Sequence, residues 1–242
     1  MNPKINFNSA AEKHAYVNQM FARIAPRYDI MNRLMSAGQD GRWRNLLVKQ
    51  LQLPPQGNLL DIATGTGDIA FEAVRQRPDL AQVVGADFTL PMMTIGKNRY
   101  PQLQNRQKLS WSGADTVYLP FPDDYFDGVV SGFLMRNVTN VANVLADQTR
   151  VCKPGGKVAI LEIPRPAESL FGAMFRLYFH NIVPMLGGII SGQPDAYSYL
   201  PHSADAFLRP EELKQAMETA GLKNVQYTML MMGTVALHVG QK

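Results

Sequence analysis

The sequence has very little cysteine and histidine. Cys152 is the single cysteine among 242 residues, which excludes an intramolecular disulfide and a cysteine-rich metal site. The four histidines show no metal-ligand spacing, so we expect no metal. Secretory signals, repeats and low-complexity tracts are also absent, which predicts a cytoplasmic protein. A chain of this length buries an ample core, and we expect one domain spanning residues 1–242.

The chain has a small excess of positive charge, and this excess lies in its N-terminal fifth. The net charge is +4. Residues 1–50 hold eight Lys or Arg against three acidic residues, whereas residues 51–242 hold sixteen against seventeen. Such a basic, partly amphipathic segment is compatible with an anionic membrane surface or a nucleic acid, but a solvated helix face explains it equally well. Charge alone therefore selects no partner.

Apolar runs alternate with helical patterns along the chain, which predicts an α/β fold with a doubly wound, mostly parallel sheet. Five runs are predicted strands: 58–63, 82–87, 109–113, 127–133 and 157–163. Two further runs, 224–232 and 234–239, are separated only by Gly233 and predict an antiparallel hairpin at the sheet edge. Seven strands with this terminal hairpin resemble the class I fold of methyltransferases that use S-adenosylmethionine.

Two helices have predictable ends. Val141 to Val151 form an amphipathic pattern that Pro154, Gly155 and Gly156 should stop before the fifth strand. Glu211 to Ala220 form another, closed by Gly221.

The segment Ser169–Ser191 interrupts this alternation with an apolar insertion. We expect no membrane span, because polar residues, a proline and two glycines should break any long apolar helix, and a central arginine costs about 2.5–3.5 kcal/mol to insert. The residues expected to break it are Arg176, His180, Asn181, Pro184, Gly187 and Gly188. An ordinary core helix and a lid over an apolar substrate, with bilayer contact outside, explain the segment equally well.

The most informative motif follows the first predicted strand. Gly65, Gly67 and Ala70 fit the spacing G-x-G-x-x-A, and Asp87 ends the next apolar run. Glycines let a ligand approach the backbone closely, and the helix that follows offers unpaired amide donors. By spacing alone the motif would bind a dinucleotide such as NAD.

Two carboxylates favour a different ligand. Asp61 precedes the glycines, and Asp68 directly follows the second of them. Carboxylates repel a pyrophosphate and attract the ammonium and sulfonium of S-adenosylmethionine, whose ribose suits Asp87. A strand-end residue and a helix cap are the plainer explanation of these two acids.

Several strings resemble the ubiquinone/menaquinone biosynthesis C-methyltransferase family. The N-terminal one is Phe21-Ala-Arg-Ile-Ala-Pro-Arg-Tyr-Asp-Ile-Met-Asn32, with Leu34-Met-Ser36 and Trp43 after it. Others are Leu119-Pro-Phe-Pro-Asp123, Arg136-Asn-Val-Thr139, Arg150-Val-Cys-Lys-Pro-Gly-Gly156, Leu161-Glu162, Tyr197-Ser-Tyr-Leu200 and Val235-Ala-Leu-His238. The chain departs from the family pattern at Asp40, where histidine is usual, and at Gly132 and Pro164, where serine is usual.

The resemblance implies methyl transfer from S-adenosylmethionine to a ring carbon of a prenylated quinol, with demethylmenaquinol the expected acceptor. The donor site it implies comprises Asp61, Gly65, Thr66, Gly67, Asp87, Phe88, Asp115, Thr116 and Gly132. Residues 1–50 would form a helical lid, and residues 165–205 an apolar insertion covering the substrate site.

Arg136 is the expected catalytic residue. It follows the fourth predicted strand, where class I substrates meet the donor, and the resemblance also gives it a catalytic role. Since a guanidinium stays protonated, we expect it to stabilise a phenolate and orient water instead of acting as a base. The resemblance adds Asn137 and Tyr28 to the catalytic group, and Tyr197 and Tyr199 as residues that bind the quinol.

Two other classes of protein stay open from the sequence. One is an NAD-dependent oxidoreductase, and the other is a non-catalytic module that binds S-adenosylmethionine. A nucleic-acid substrate is not expected, because no Asn-Pro-Pro-aromatic string is present. The oligomeric state and the identity of the quinol ring are not specified by the sequence.

Overall fold

A seven-stranded sheet forms the centre of the protein, which we describe from a computed structural model at residues 7, 9–99 and 104–242. The spatial order is β3-β2-β1-β4-β5-β7-β6. The strands are β1 (Asn58–Ile62), β2 (Gln82–Asp87), β3 (Leu109–Gly113), β4 (Phe126–Gly132), β5 (Cys152–Glu162), β6 (Lys223–Leu230) and β7 (Val235–Gln241). The pairs among β1 to β5 are parallel, and β7 is antiparallel to both β5 and β6. The predicted class I topology is confirmed.

The first strand sets the position of the functional edge. Leu60 in β1 lies opposite Val84 in β2 and Val129 in β4, and all three are buried. Because β1 pairs with β2 on one side and β4 on the other, the chain reverses its direction of winding here. Ligands of such sheets bind beyond the carboxyl ends of the strands at this switch point.

Helices cover both faces of the sheet. They are α1 (Ala10–Ile24), α2 (Tyr28–Met35), α3 (Asp40–Leu51), α4 (Asp68–Gln76), α5 (Leu90–Arg99), α6 (Val141–Val151), α7 (Leu170–Leu177), α8 (Val183–Ser191), α9 (Pro194–Asp205) and α10 (Pro210–Thr219). One buried cluster joins α6 and α10 to the sheet, and another joins α3 and α4 to its opposite face. A third cluster joins α1 and α2 to the α7–α9 insertion.

The third cluster covers the carboxyl edge of the sheet. Its buried members include Met20 and Ile24 of α1, Met31 of α2, and Val183 and Tyr197 of the insertion. The part of the expected N-terminal lid that falls on residues 1–6 and 8 lies outside the described residues. The rest of that segment is helical, with Ser9 capping α1 by accepting a hydrogen bond from the backbone N–H of Glu12 at 3.1 Å.

Helix α6 occupies the predicted residues, but β5 begins earlier than expected. Cys152 already pairs with Phe126 of β4, and regular pairing resumes where Lys157 meets Gly128. The Pro154–Gly156 stretch therefore lies within the strand as an irregularity, and it does not separate helix from strand. Cys152 is buried, and burial raises the pKa of its thiol to about 12, as expected for a packing residue.

The expected breaks in the apolar insertion are wrong. Residues Leu170–Ser191 form one continuous helical segment of 22 residues, long and apolar enough by composition to cross a membrane. A π turn over Tyr178–Ile182 joins α7 to α8, so Pro184 falls in the first turn of α8, where a missing N–H costs little. Asn181 donates to the carbonyl of Leu177 at 2.8 Å and so satisfies its own amide within the helix.

The outer side of this segment carries a row of exposed apolar side chains, which we call the outer row. Its members are Leu170, Met174, Leu177, Ile182, Met185 and Ile189, each between 40% and 82% exposed. Their spacing is that of one helix face, with one extra residue at the π turn. The inner side packs into the third cluster through Phe179 and Val183.

Candidate functional site

The turn after β1 brings backbone, not side chains, to the carboxyl edge. Gly65 and Gly67 have positive φ angles of 59° and 86°, which only glycine adopts freely. A Cβ on Gly67 would also lie 2.5 Å from Trp111 Cη2, so this glycine permits a close approach between the turn and β3.

Asp61 is fully buried beneath this turn. One of its oxygens accepts hydrogen bonds from the Thr64 hydroxyl at 2.6 Å and the Ala70 N–H at 3.1 Å. Its other oxygen has no partner among the described residues. Burial raises the pKa of Asp61 to about 7, against the opposing effect of these hydrogen bonds.

Asp87 ends β2 and holds the same turn from the other side. It accepts from the Gly65 N–H at 2.8 Å and from the Thr89 N–H at 2.7 Å. Burial raises the pKa of this carboxyl, and the backbone hydrogen bonds oppose the rise. The side chain is therefore fixed at the position where class I folds hold a ribose.

A cavity opens beside this turn, and we call it the donor cavity. Its lining includes Phe21, Tyr28, Gly65, Asp87, Phe88, Met92, Gly132, Phe133 and Asn137. The surroundings fit S-adenosylmethionine, since a carboxylate, turn backbone and aromatic rings meet there. The buried carbonyl oxygen of the Asn137 side chain, which has no partner among the described residues, adds a free acceptor.

The cavity takes in only some of the donor residues expected from the sequence. Gly65, Asp87, Phe88 and Gly132 line it, as do Tyr28 and Asn137 of the expected catalytic group. Within the described chain, Asp61, Thr66, Gly67, Asp115 and Thr116 do not. A Cβ on Gly132 would lie 2.7 Å from Ile69 Cδ1, the end of a flexible side chain, so a serine here would require only a small shift.

Asp115 lies at the rim of the donor cavity. Its carboxylate is 3.7 Å from Nε2 of His14, and the His14 ring stacks on Phe88 with centroids 4.7 Å apart. Thr116 beside it is buried. Helix α1 thus covers the side of the cavity where an adenine would stack on Phe88.

A network of ion pairs fastens the N-terminal helices to the turn. Asp29 of α2 accepts from the Thr66 hydroxyl at 2.7 Å and pairs with Arg99 of α5. Arg99 also pairs with Asp68 at 3.1 Å, and Arg44 of α3 pairs with Asp68 at 2.9 Å. Two arginines therefore compensate the charge of Asp68. The electrostatic preference for a cationic donor consequently rests on Asp61 and Asp87.

Asp40, where the family usually has histidine, belongs to the same network. It pairs with Arg44 at 2.6 Å and accepts from the Ser36 hydroxyl at 3.1 Å. Its charge is thus satisfied within α3 and the preceding turn. Pro164, the other departure at a strand end, is buried just beyond β5.

A second cavity, the apolar cavity, adjoins the first. It lies between the N-terminal helices and the α7–α9 insertion, and its lining includes Ile24, Asn32, Met35, Asp40, Arg136, Ile163, Phe175, Tyr178, Tyr197 and Leu200. Phe21, Tyr28 and Phe133 line both cavities. These three rings form a shared wall between a polar chamber and an apolar one.

Phe133 has a strained backbone conformation. Its φ angle is 58°, in the left-handed region that costs a non-glycine residue roughly 1–2 kcal/mol. Its N–H donates to the carbonyl of Leu161 at 2.7 Å, and its carbonyl accepts from Arg136 and Asn137. Backbone strain of this kind concentrates at functional sites.

Arg136 lies in a short helical turn after β4, with its side chain only 5% exposed. It pairs with Glu162 at the end of β5, whose side chain is 1% exposed. Glu162 is itself held by the N–H groups of Ile163 at 2.8 Å and Arg136 at 3.3 Å. The guanidinium also lies 5.5 Å from the centroid of the Phe133 ring. Its Nε atom is buried and has no partner among the described residues.

The two tyrosines expected to bind the quinol lie in different places. Tyr197 lines the apolar cavity, whereas Tyr199 lines a third cavity on the other side of Arg136. Burial raises the pKa of each phenol to about 12. Burial also raises the pKa of Tyr28. All three phenols are therefore neutral near pH 7 and can donate hydrogen bonds, but they are poor bases.

Some functional residues were missed from the sequence. Glu162 was noted only as part of a family string, although a lone acid closing a buried apolar strand is a usable signal. Phe133 was read only as the end of a strand. Arg99 carries no local signal, because its partners Asp29 and Asp68 lie far away in the chain. The spacing of Arg44 from Asp40 is local, but its pairing with Asp68 is not.

The fold and the donor cavity define the class: this is a class I methyltransferase that uses S-adenosylmethionine. Solved structures share the fold. An S-adenosylmethionine-dependent methyltransferase of Thermotoga maritima matches with a TM-score of 0.64 at 18% identity, over 93% of this chain and 98% of that one. Phosphoethanolamine N-methyltransferase 2 of Haemonchus contortus, solved with S-adenosyl-L-methionine, gives 0.59 at 13% identity, over 83% of this chain and 52% of that one.

The chain belongs to the ubiE/COQ5 methyltransferase family, whose model matches residues 9–242. It is 43% identical to demethylmenaquinone methyltransferase of Thermus thermophilus, over 92% of this chain and all of the relative. It is 38% identical to ubiquinone/menaquinone biosynthesis C-methyltransferase UbiE of Geobacter sulfurreducens, over 99% of this chain and 93% of the relative. The resemblance seen in the sequence is confirmed.

The raised pKa of Asp61 predicts a pH-dependent affinity for the methyl donor. A carboxyl with a pKa of about 7 is mostly neutral at pH 6 and charged at pH 8, and a cationic donor favours the charged form. The dissociation constant of S-adenosylmethionine, measured by calorimetry, should fall about tenfold between these pH values, as one coupled proton requires. The stability of the ligand-free protein should respond in the opposite sense, since the pKa of Asp61 is raised above its ordinary value of 3.8. Its free energy of unfolding should fall as pH rises from about 4 to 7.

The control for this pH dependence is a pair of substitutions. Asp61→Asn should flatten both profiles, whereas Asp115→Asn, at an exposed rim position, should preserve them. Identical slopes in the wild type and Asp61→Asn would contradict the assignment of the pH dependence to Asp61.

Proposed function

We propose that this enzyme transfers a methyl group from S-adenosylmethionine to a ring carbon of demethylmenaquinol, yielding menaquinol and S-adenosylhomocysteine. The observation that carries this assignment is the pair of adjoining cavities that share three aromatic rings, with a buried arginine lining the more apolar of the two. In the reaction a carbon–carbon bond forms, the sulfur–methyl bond breaks, and the ring carbon releases one proton to water. When bound, the donor supplies an electrophilic methyl group on a sulfonium.

The acceptor must become nucleophilic at carbon. A quinol hydroxyl resembles a phenol with a pKa near 10, so it is mostly neutral at pH 7. Arg136 places a permanent positive charge in surroundings with little water, where it stabilises a phenolate far more than it would in solvent. Loss of the hydroxyl proton then enriches the adjacent ring carbon in electrons. Glu162 binds Nη1 of the guanidinium and leaves the buried Nε without a partner among the described residues.

The N-terminal helices act as the lid over both ligands in this proposal. Phe21 and Tyr28 contribute to both cavities, and Asp29 ties α2 to the donor turn through Thr66. Closure of α1 and α2 would exclude water from the sulfonium and assemble the site in one movement. Asn137 in the donor cavity and Tyr197 in the apolar cavity are placed to orient the reactants.

The direct test supplies methyl-labelled S-adenosylmethionine with chemically reduced demethylmenaquinol, and in parallel with a demethylated benzoquinol. We expect label in the organic extract from the naphthoquinol. Label in both extracts would extend the acceptor range to both rings. Donor binding without label in either extract would contradict the proposal and favour a non-catalytic binding module.

The role of Arg136 predicts a separation of binding from turnover. Since Arg136→Ala alone would leave Glu162 buried and unpaired at a cost of about 3–5 kcal/mol, the informative variant is Arg136→Gln/Glu162→Gln. It should fold, bind S-adenosylmethionine within threefold of the wild type, and lose about 10²–10³ in kcat, the usual effect of removing a preorganised charge. Equal losses in donor affinity and kcat would contradict this role. The matched control, Arg150→Gln/Asp147→Gln, removes an ion pair of α6 away from both cavities.

We also propose that the protein is cytoplasmic and touches the membrane surface through its outer row. Helix α7–α8 has Arg176 inside it, and its inner face carries Phe179 and Val183 of a buried cluster. If helix α7–α8 crossed a bilayer, Phe179 and Val183 would lose their contacts with the buried cluster. If the helix lay flat on the membrane surface, only the outer row would be buried in lipid. A quinol with a long prenyl tail resides in the bilayer, so contact there shortens its path to the apolar cavity.

Neighbouring helix α2 supplies charge for the same contact. It packs against α8 and exposes Ile30 and Leu34, each 48% exposed. Arg33 of this helix is also exposed, as is Arg27 directly before it. Apolar side chains flanked by arginine suit a surface of anionic lipid.

The membrane proposal predicts a specific loss of binding. In co-sedimentation with vesicles of phosphatidylethanolamine and phosphatidylglycerol, Leu177→Gln/Ile189→Gln should bind at least tenfold more weakly than the wild type, because two side chains worth up to about 1.5–3 kcal/mol each no longer enter the bilayer. Val117→Gln/Tyr118→Gln, which changes equally exposed apolar residues elsewhere, should bind like the wild type. Equal binding by both variants would overturn the outer row as the contact surface.

A further inference from the structure

The apolar cavity is lined by a polar side chain that has a buried atom without a partner and that the proposed chemistry does not use. Asn32 of α2 lines this cavity, and its amide nitrogen is buried with no hydrogen-bond partner among the described residues. A buried amide nitrogen without an acceptor is rare in folded proteins, and it indicates a partner supplied by a ligand. An acceptor for this nitrogen must therefore come from the molecule that fills the cavity.

Asn32 is fixed on the catalytic side of the cavity. It lies one helical turn after Tyr28, so both side chains project from the same face of α2. The Asn32 amide lies close enough to the Tyr28 phenol to oppose the rise that burial causes in the pKa of that phenol. Tyr28 in turn belongs to the wall shared with the donor cavity.

Other polar groups that line the cavity either have hydrogen-bond partners in the protein or are not neutral amides. Ser36 and Asp40 hydrogen-bond to each other, and Asp40 also pairs with Arg44. Two other residues that line the cavity have a buried polar atom without a partner among the described residues: Arg136 at Nε and Tyr197 at its hydroxyl. Arg136 and Asn32 thus supply two separate nitrogen donors to the lining, one charged and one neutral.

The proposed substrate has two oxygens for these two donors. In demethylmenaquinol one ring hydroxyl is next to the carbon that receives the methyl group, and the other, across the ring, is next to the carbon that bears the tail. Only the first can pass its negative charge to the reacting carbon, so it requires the charged donor. The second stays neutral and needs only a hydrogen-bond partner.

We infer that the Asn32 amide donates a hydrogen bond to the quinol hydroxyl next to the prenyl tail, making Asn32 a substrate-orienting residue. This inference rests on the proposed function. With Arg136 holding one oxygen and Asn32 the opposite one, each oxygen has its own donor, and the axis of the ring through the two oxygens is fixed. Asn32 selects acceptors that carry two oxygens across the ring.

The test pairs a substitution in the protein with a deletion in the substrate. The acceptors are a 1,4-naphthalenediol with a short prenyl tail and its monohydroxy analogue, which lacks the hydroxyl next to the tail but keeps the one next to the reacting carbon. For the wild type, kcat/KM should be about tenfold higher for the diol, beyond any difference in intrinsic reactivity. In Asn32→Leu, which preserves side-chain volume, this preference should shrink about tenfold.

The double comparison separates the possible failures. For each protein, kcat/KM for the diol is divided by kcat/KM for the monohydroxy analogue. The ratio for the wild type is then divided by the ratio for Asn32→Leu, and the difference in intrinsic reactivity between the two acceptors cancels. A ratio unchanged within twofold between the two proteins would overturn the inference about Asn32. No methylation of either acceptor by the wild type would overturn the proposed function instead.

Folding and donor binding provide the remaining controls. Asn32→Leu should retain the wild-type dissociation constant for S-adenosylmethionine within twofold and should not lower the unfolding midpoint, because the amide nitrogen that it removes is buried without a hydrogen-bond partner among the described residues. A lowered midpoint with an unchanged substrate ratio would make Asn32 a structural residue and contradict the inference. Asn143→Ala, an exposed asparagine on α6, is the matched control and should change neither quantity.

Discussion

The buried pair of Arg136 and Glu162 is the interaction on which the functional edge depends. Removing two charges from water costs several kcal/mol per ion, and their attraction repays this only when geometry and further hydrogen bonds are good. Glu162 meets that condition, because two backbone N–H groups also bind it. The pair joins the ends of β4 and β5 and so fixes the loop that contains Phe133 and Asn137. Stability alone does not explain a charge at this position, whereas a reaction that develops negative charge beside it does.

The fold was largely predictable because its signals are local. The buried strands at 59–62 and 83–86 are apolar apart from Asp61, and Gly233 marks the terminal hairpin. The two errors have one cause. Pro154 and Pro184 are residues that the sequence pattern predicts to end secondary structure. Pro154 instead lies in an irregular part of β5, and Pro184 lies in the first turn of α8, and at each position the missing N–H costs little. Sequence shows the proline but not its position within the hydrogen-bond pattern.

The site was only partly predictable, because its residues come together from distant parts of the chain. Asp87 and Gly65 were visible since each belongs to a strand end or a turn with its own pattern. Arg99 meets Asp29 across a separation of 70 residues, and no spacing rule connects them. Family strings indicated Tyr28 and Arg136 but not which chamber each would line. The shared wall is a property of the assembled molecule, created when α2 packs against the loop after β4.

The shared wall has a consequence for the order of events during turnover. Phe21 and Tyr28 belong to the N-terminal helices, whereas Phe133 lies in the loop after β4 that is held by hydrogen bonds from Arg136 and Asn137. If the proposed lid moves as a unit, its displacement would open both cavities at once. The demethylated cofactor and the methylated product would then leave during the same opening, and both cavities would be refilled before the next closure.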